Sequence, residues 1–214
     1  ARIPLSLSHV FDLGNWRRPF ATLRTIPNLA RLTAVGVAFA VTFGATATFL
    51  VTFFNIGLGL DLVTAQLLFT VFQAAGLGGR LLFGLVADVI GSRRRVLRLL
   101  AVCAALSMMV LGMMTPAWPL AVVYAFAAIT GLAVATWNGL YLAEIALIGG
   151  SDKVGEATAA AGFFSFAAYM LAPPVFGTVA AYSSYRVAFF VAAASAILAS
   201  LLLANLDRES GKEA

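Results

Sequence analysis

Charge is scarce in this chain: acidic and basic residues make up 11% of its 214 residues, against about 25% in a typical soluble domain. Hydrophobic residues reach 62% and the mean hydropathy is +0.97, which excludes both a water-soluble globule and a disordered segment. Cysteine is nearly missing, and Cys103 alone excludes a disulfide scaffold. Histidine is equally rare. His9 precedes every apolar run, so nothing buried is present to activate a serine for hydrolysis. No cluster of His, Cys or carboxylate stands at metal-ligand spacing, so no catalytic residue, cofactor or metal is expected. Stretches of about ten residues with alternating polarity are also wanting, which excludes a transmembrane barrel.

What is present is a series of apolar runs: Leu32–Phe54, Val63–Ile90, Val96–Met114, Pro119–Ile148, Ala157–Ala181 and Val187–Leu206. Each approaches or exceeds the ~20 residues with which an α-helix crosses a bilayer. The pieces between them are short and polar or turn-forming, so consecutive helices are expected to be antiparallel neighbours. The reading is an all-α membrane protein of six transmembrane helices over residues 32–206. Residues 1–31 read as a cytoplasmic linker, because Pro4, Pro19 and Pro27 interrupt a stretch with five arginines and no sustained apolar period. A signal peptide does not fit, since the first long run starts only after residue 31 and exceeds a signal core. Residues 207–214 read as a cytoplasmic tail.

Orientation follows from the basic residues, which concentrate on cytoplasmic loops. Twelve of the fourteen lie on one side: Arg2, Arg17, Arg18, Arg24 and Arg31 before the first run, Arg93, Arg94, Arg95 and Arg98 after the second, Lys153 after the fourth, and Arg208 and Lys212 after the sixth. Only Arg186 falls on the other side, and Arg80 lies within the second run. Both ends of this segment are therefore expected to be cytoplasmic, in a plasma membrane of bacterial inner-membrane type. The net charge of +5 is explained by these loops beside anionic lipid and calls for no nucleic acid.

Polar groups inside the runs are costly in lipid and so mark function or buried packing. On the second run Gln66, Gln73, Arg80, Gly84 and Asp88 fall within an arc of about 80° on a helix of 3.6 residues per turn. That stripe is expected to face other helices or a water-filled path, with Arg80 either held by a nearby carboxylate or carbonyl or contacting solute. The fourth run carries Trp137, Tyr141 and Glu144 on one stripe, with Asn138 beside it. Glu144 is expected in a structural ion pair with Arg80, Arg93 or Arg94. Trp137 lies too deep to anchor an interface, which leaves packing or solute stacking. Pro173 and Pro174 are expected to kink the fifth run. Pro173 is the seventeenth residue of that run and Gly79, after Gly78, the seventeenth of the second, the pattern of two inverted three-helix repeats. Thr42 and Thr46, one turn apart, face a cavity or bond their own backbone.

The stretch Gly84 to Arg95, GLVADVIGSRRR, ends the second run with an aspartate that opposes the dipole of its own helix, then a glycine and three arginines. It resembles the signature loop of the major facilitator superfamily, G-x-x-x-D-[RK]-x-G-[RK]-[RK]. Gly84, Asp88, Gly91 and Arg93 match, with Arg94 continuing the basic run, while Val89 and Ser92 replace basic positions, as is more typical of the second copy of that loop. Trp137 to Glu144 is similar to the tenth helix of bacterial members. Gly155 to Thr158 and Ala172 to Gly177 are similar to the eleventh.

The resemblance covers about residues 32–206 and implies the C-terminal six-helix half of a twelve-helix transporter, with residues 1–31 linking the halves. Its partners would be the lipid bilayer, a small solute and the N-terminal six-helix half. The implied function is secondary active transport by alternating access. Thr42, Thr46, Gln73, Arg80, Trp137, Asn138 and Tyr169 are the candidate solute contacts. Gly84, Asp88, Gly91, Arg93, Arg94, Glu144, Pro173 and Pro174 are the candidate gating or structural residues, with Asp88 facing a helix end in the other half. The alternative is a self-contained six-helix membrane protein forming a homodimeric pore or structural subunit. An initiating methionine just before Ala1 favours that alternative, and six upstream spans exclude it.

Overall fold

The computed structural model describes the backbone of residues 13–210 and the side chains of residues 17–206. His9, the start of the linker and the end of the tail lie outside the described residues. Among the described residues the chain is helical throughout, with no strand. Its elements are α1 (Leu13–Thr25), α2 (Leu29–Thr52) with a π-helical turn (Phe53–Gly57), α3 (Leu62–Ile90), α4 (Arg93–Met113), α5 (Leu120–Val134), α6 (Trp137–Tyr182) and α7 (Tyr185–Ser210).

Five helical stretches are long and apolar enough to cross a membrane, and one of them, Leu120–Tyr182, has 63 residues. That stretch supplies both the fourth and the fifth crossing. Gly150 adopts φ 60°, ψ −177°, which an L side chain would resist, and α6 folds back on itself there. The reversal is visible in the contact of the Tyr141 hydroxyl with Ser165 Oγ, 3.4 Å away and 24 residues later in sequence. The expected loop at Gly149–Glu156 is thus reduced to one non-helical residue. An interruption that composition does not announce lies instead within the fourth crossing, where α5 stops and α6 restarts after Ala135 and Thr136.

The stretch read as a linker contains a helix. α1 forms despite Pro19 because it is braced from outside: Leu23 joins the core under α2, and Phe20 packs edge-on against Phe164 with ring centroids 5.0 Å apart. Elsewhere the helix ends follow local chemistry. Asp61 caps α3 by accepting from the Thr64 backbone N–H at 3.0 Å. Hydrogen bonds from Thr64 hold the Asp61 carboxyl below its usual pKa, so this cap stays intact from neutral pH into mild acid and is lost as pH falls through the lowered value. Gly91 closes α3 in the left-handed region at φ 68°, and the next residue, Ser92, opens α4 by accepting from Arg95 N.

Lipid is as apolar as leucine, so these helices are held together by close packing rather than by expulsion of water. Small residues permit it. A Cβ on Gly131 of α5 would collide with the Phe72 carbonyl oxygen of α3, and one on Gly76 would stand 2.5 Å from the Ala135 side chain. α4 and α7 pack closely, and alanines of both helices, including Ala101, Ala104, Ala193 and Ala196, are buried. The two prolines of α6 remain inside continuous helix. Pro173 has no N–H for the carbonyl of Tyr169, and α2 presents Gly44 to that oxygen so closely that a Cβ would lie 2.8 Å from it. Thr178 Oγ1 donates to the Pro174 carbonyl at 2.8 Å. Gly78 and Gly79 likewise leave α3 unbroken.

The α3–α5 contact admits a direct test. Gly131→Ala is expected to cost about 1–3 kcal/mol through overpacking, read as a fall in melting temperature of the purified protein in detergent. Gly78→Ala, which meets open space, is expected to be neutral or slightly stabilising.

Candidate functional site

The break in the fourth crossing positions the most distinctive side chains of the molecule. A helix that restarts in the bilayer leaves backbone polar groups without intrahelical partners, and lipid offers none. One α3 side chain answers such a group, and a second bond ties the break to α3. Arg80 Nε donates to the Ala135 carbonyl at 3.3 Å, and Thr136 Oγ1 donates to the Gly76 carbonyl at 3.5 Å. Arg80 is therefore held by a carbonyl and not by Glu144. Thr136 and Gly76, which the polarity pattern does not single out, complete the lock.

Trp137 is the first residue of the restarted helix. Its indole stacks on Phe39 of α2 at 5.2 Å and 6° between planes, and tilts against Tyr141 at 5.4 Å. In front of it opens a cavity of about 470 Å³ between α2 and the two arms of α6. Ala40 and Phe43 line it from α2, Trp137, Asn138, Tyr141 and Leu142 from the first arm, and Thr158, Gly162, Ser165, Phe166 and Tyr169 from the second. Phe43 and Tyr169 stack at 5.7 Å and form one wall. Every lining side chain is uncharged, and the polar groups belong to Trp137, Asn138, Tyr141, Thr158, Ser165 and Tyr169. Such a surface can stack on a flat or apolar face and exchange a few hydrogen bonds, which is how small-molecule sites obtain orientation.

Three of the expected solute contacts, Trp137, Asn138 and Tyr169, thus come together. Four do not. Thr42 Oγ1 bonds Ala38 O at 3.1 Å and Ala192 O at 3.3 Å, and Thr46 Oγ1 bonds Thr42 O at 2.7 Å and approaches Met108 Sδ. Both threonines are fully buried against α4 and α7, with their hydroxyls satisfied inside the protein, so they do not line the cavity. Gln73 and Arg80 lie on the exposed face of α3, along with Gln66 and Asp88. Of the two expected surroundings, other helices or a water-filled path, no helix among the described residues covers this stripe, and α3 is far less buried along its length than α2. Sequence reading missed Phe43, Ser165, Phe166 and Thr158. Phe43 and Ser165 were findable only through their neighbours, since their spacing to Trp137 means nothing until α6 turns back at Gly150.

At the end of the bundle that bears the basic loops, Glu144 pairs with Arg94 Nε, one of the three partners expected for it. The pair ties the first arm of α6 to the start of α4, and Glu144 is almost wholly buried. Asp88 is exposed and makes no ion pair or side-chain hydrogen bond with the described residues. Removing Glu144 takes the carboxylate away from the partly buried Arg94 guanidinium. Glu144→Ala is expected to destabilise by about 3 kcal/mol, and the double change Arg94→Met with Glu144→Leu to recover most of that loss, measured by thermal melting.

The chain matches the Major Facilitator Superfamily over residues 15–214. No curated protein matches it. The match spans nearly the whole sequence and agrees with the helical architecture and the Gly84–Arg95 loop. The chain belongs to the Major Facilitator Superfamily and is a multi-pass membrane protein of solute transport.

Proposed function

We propose that the protein is a secondary active transporter working by alternating access, in which this chain supplies the C-terminal six-helix half, built as two inverted three-helix repeats. The observation that carries this reading is the pairing of an uncharged aromatic cavity on one side of the bundle with a polar, uncovered face on α3. Gln66, Gln73, Arg80 and Asp88 would be expensive against lipid, and an N-terminal six-helix half is the partner that gives them a protein or aqueous neighbour. Exposed Leu77, Leu81, Leu85 and Val89 beside them supply the apolar part of such an interface.

In this reading the solute rests between the halves against Trp137, Asn138 and Tyr169, while Phe39 holds the indole from behind. Arg80 and Gln73 face the opposite half. The loop of Gly84, Asp88, Gly91, Arg93 and Arg94 forms the gate on the cytoplasmic side of the plasma membrane, and Asp88 meets the positive N-terminal end of a helix in the other half. The Arg94–Glu144 pair ties that gate to the helix carrying Trp137, so movement of the loop is transmitted to the cavity. Pro173 and Pro174 lie in the crossing that carries Tyr169, where a missing backbone hydrogen bond lets the helix bend during rocking.

Uptake by liposomes containing the full-length protein, across a solute panel and a pH gradient, tests the reading. Accumulation is expected for at least one small solute, with both Trp137→Leu and Tyr169→Leu lowering the initial rate tenfold or more at unchanged protein yield. Asn138→Cys in a Cys103→Ala background is expected to react with a membrane-impermeant thiol reagent and to be protected by that solute. A Gln73 position permanently embedded in hydrocarbon, or the two ends of this segment mapped to opposite membrane faces, sinks the proposal. A functional homodimer of this segment alone would establish the six-helix pore instead.

A further inference from the structure

A second cavity, of about 760 Å³, lies between α1 and the second arm of α6, at the end of the bundle where the basic loops gather. Its character is the reverse of the first. Arg18 lines it from α1, and Lys153 and Glu156 line it from α6. Arg18 and Lys153 form no ion pair with the described residues. The two threonines on the α1 side are already engaged, Thr22 Oγ1 with the Arg18 carbonyl at 3.0 Å and Thr25 Oγ1 with the Thr22 carbonyl at 3.1 Å. The attraction of this groove is therefore that of two cations and one carboxylate, a surplus of one positive charge.

The surroundings say what kind of anion fits. Phe20 on α1 is half exposed and packs edge-on against Phe163 and Phe164, so an aromatic surface borders the charged pocket. Arg17 and Arg24 are exposed on the same short helix, which gives α1 the composition of a segment lying along an anionic membrane surface. A soluble anion makes no use of the apolar border, whereas a lipid places its phosphate and its acyl chains within a few ångströms of each other. Basic pockets between helices near the membrane surface are suited to such headgroups. Arginine's planar fork matches phosphate oxygens, and lysine adds a point charge.

We propose that the α1–α6 groove is a binding site for an anionic glycerophospholipid with a polyol headgroup, of the phosphatidylglycerol class. Arg18 and Lys153 take the phosphodiester, and Glu156 accepts a hydrogen bond from a headgroup hydroxyl. The charges balance: one negative phosphodiester meets a net charge of one positive. A zwitterionic choline lipid leaves the surplus uncompensated and offers no donor to Glu156. The dianion of free phosphate or a phosphomonoester overfills the site and faces Glu156 with a like charge. Seating the lipid there anchors α1, and with it the segment leading into the first crossing, to the membrane surface.

Native mass spectrometry of the full-length transporter, released from nanodiscs of phosphatidylglycerol, phosphatidylethanolamine or phosphatidylcholine, provides the test. One phosphatidylglycerol is expected to be retained in preference to the other two lipids. Arg18→Gln and Lys153→Gln are each expected to weaken that retention about fivefold, since a basic residue near the surface contributes on this scale. Arg98→Gln, an exposed cation on α4, serves as the control and is expected to leave retention unchanged. Glu156→Gln keeps both cations and removes the carboxylate charge, which raises the surplus to two positive charges, and in nanodiscs that also carry phosphatidic acid it is expected to shift preference from phosphatidylglycerol toward phosphatidic acid. Equal loss in Arg98→Gln, equal retention of phosphatidylcholine, or displacement of the lipid by millimolar inorganic phosphate overturns the proposal. Should the Arg18 or Lys153 change prevent folding, the Glu156→Gln preference decides alone: an unchanged lipid order overturns the site.

Discussion

The helix restart at Ala135–Thr136 is the constraint on which the rest of the structure depends. A backbone interrupted inside a bilayer must have its freed carbonyls answered by protein, and the answer comes from α3, through Arg80 on Ala135 O and through close packing at Gly76 and Gly79. A Cβ on Gly79 would collide with Thr136 Oγ1, so the residues flanking the break leave no room for anything larger on α3. Because the break is locked to α3, the first side chain beyond it is held in a definite place. That side chain is Trp137, and the stack of Phe39, Trp137 and Tyr141 defines the back of the cavity. An arginine in the middle of an apolar crossing is thereby accounted for without an acidic partner: from the exposed face of α3 it reaches a backbone group that lipid would leave bare.

Long apolar runs made the crossings legible, since six stretches of about twenty apolar residues have few other uses. The signature loop was legible for a different reason, because an aspartate, a glycine and arginines at fixed spacing answer to a helix end, a turn and a membrane face. Even its departures have local causes. Ser92 stands where the family pattern has a basic residue, and it caps α4. The lone basic residue assigned to the far side, Arg186, is tied down locally. Its Nε donates to the Gly112 carbonyl at 3.3 Å, near the end of α4, where a cation also complements the helix dipole.

What remained hidden depends on contacts distant in sequence. α1 carries a proline and no strong period, and it forms because α6, more than a hundred residues later, offers Phe163 and Phe164 to Phe20. For Thr42 and Thr46, polarity and spacing alone allow either a cavity or bonds to their own backbone. Their hydroxyls satisfy backbone carbonyls of their own helix, and Thr42 also meets α7, a choice no helical wheel reveals. The cavity itself arises from a fold-back at Gly150 that brings Ser165 and Tyr169 opposite Tyr141 and Trp137. Spacing along one helix captured Trp137, Asn138 and Tyr141; of the facing wall, polarity and depth mark Tyr169 alone, and the rest is visible only with the reversal.

Two kinds of surface polarity remain on the molecule, and they differ in what satisfies them. The α3 stripe spans the depth of a crossing, where lipid offers no partner, so its polar groups require protein or trapped water for as long as the protein sits in a bilayer. The cations of α1 and Lys153 sit beyond the apolar spans, where phosphate groups and water are always at hand. The first surface therefore calls for a permanent neighbour, and the second accepts an exchangeable one.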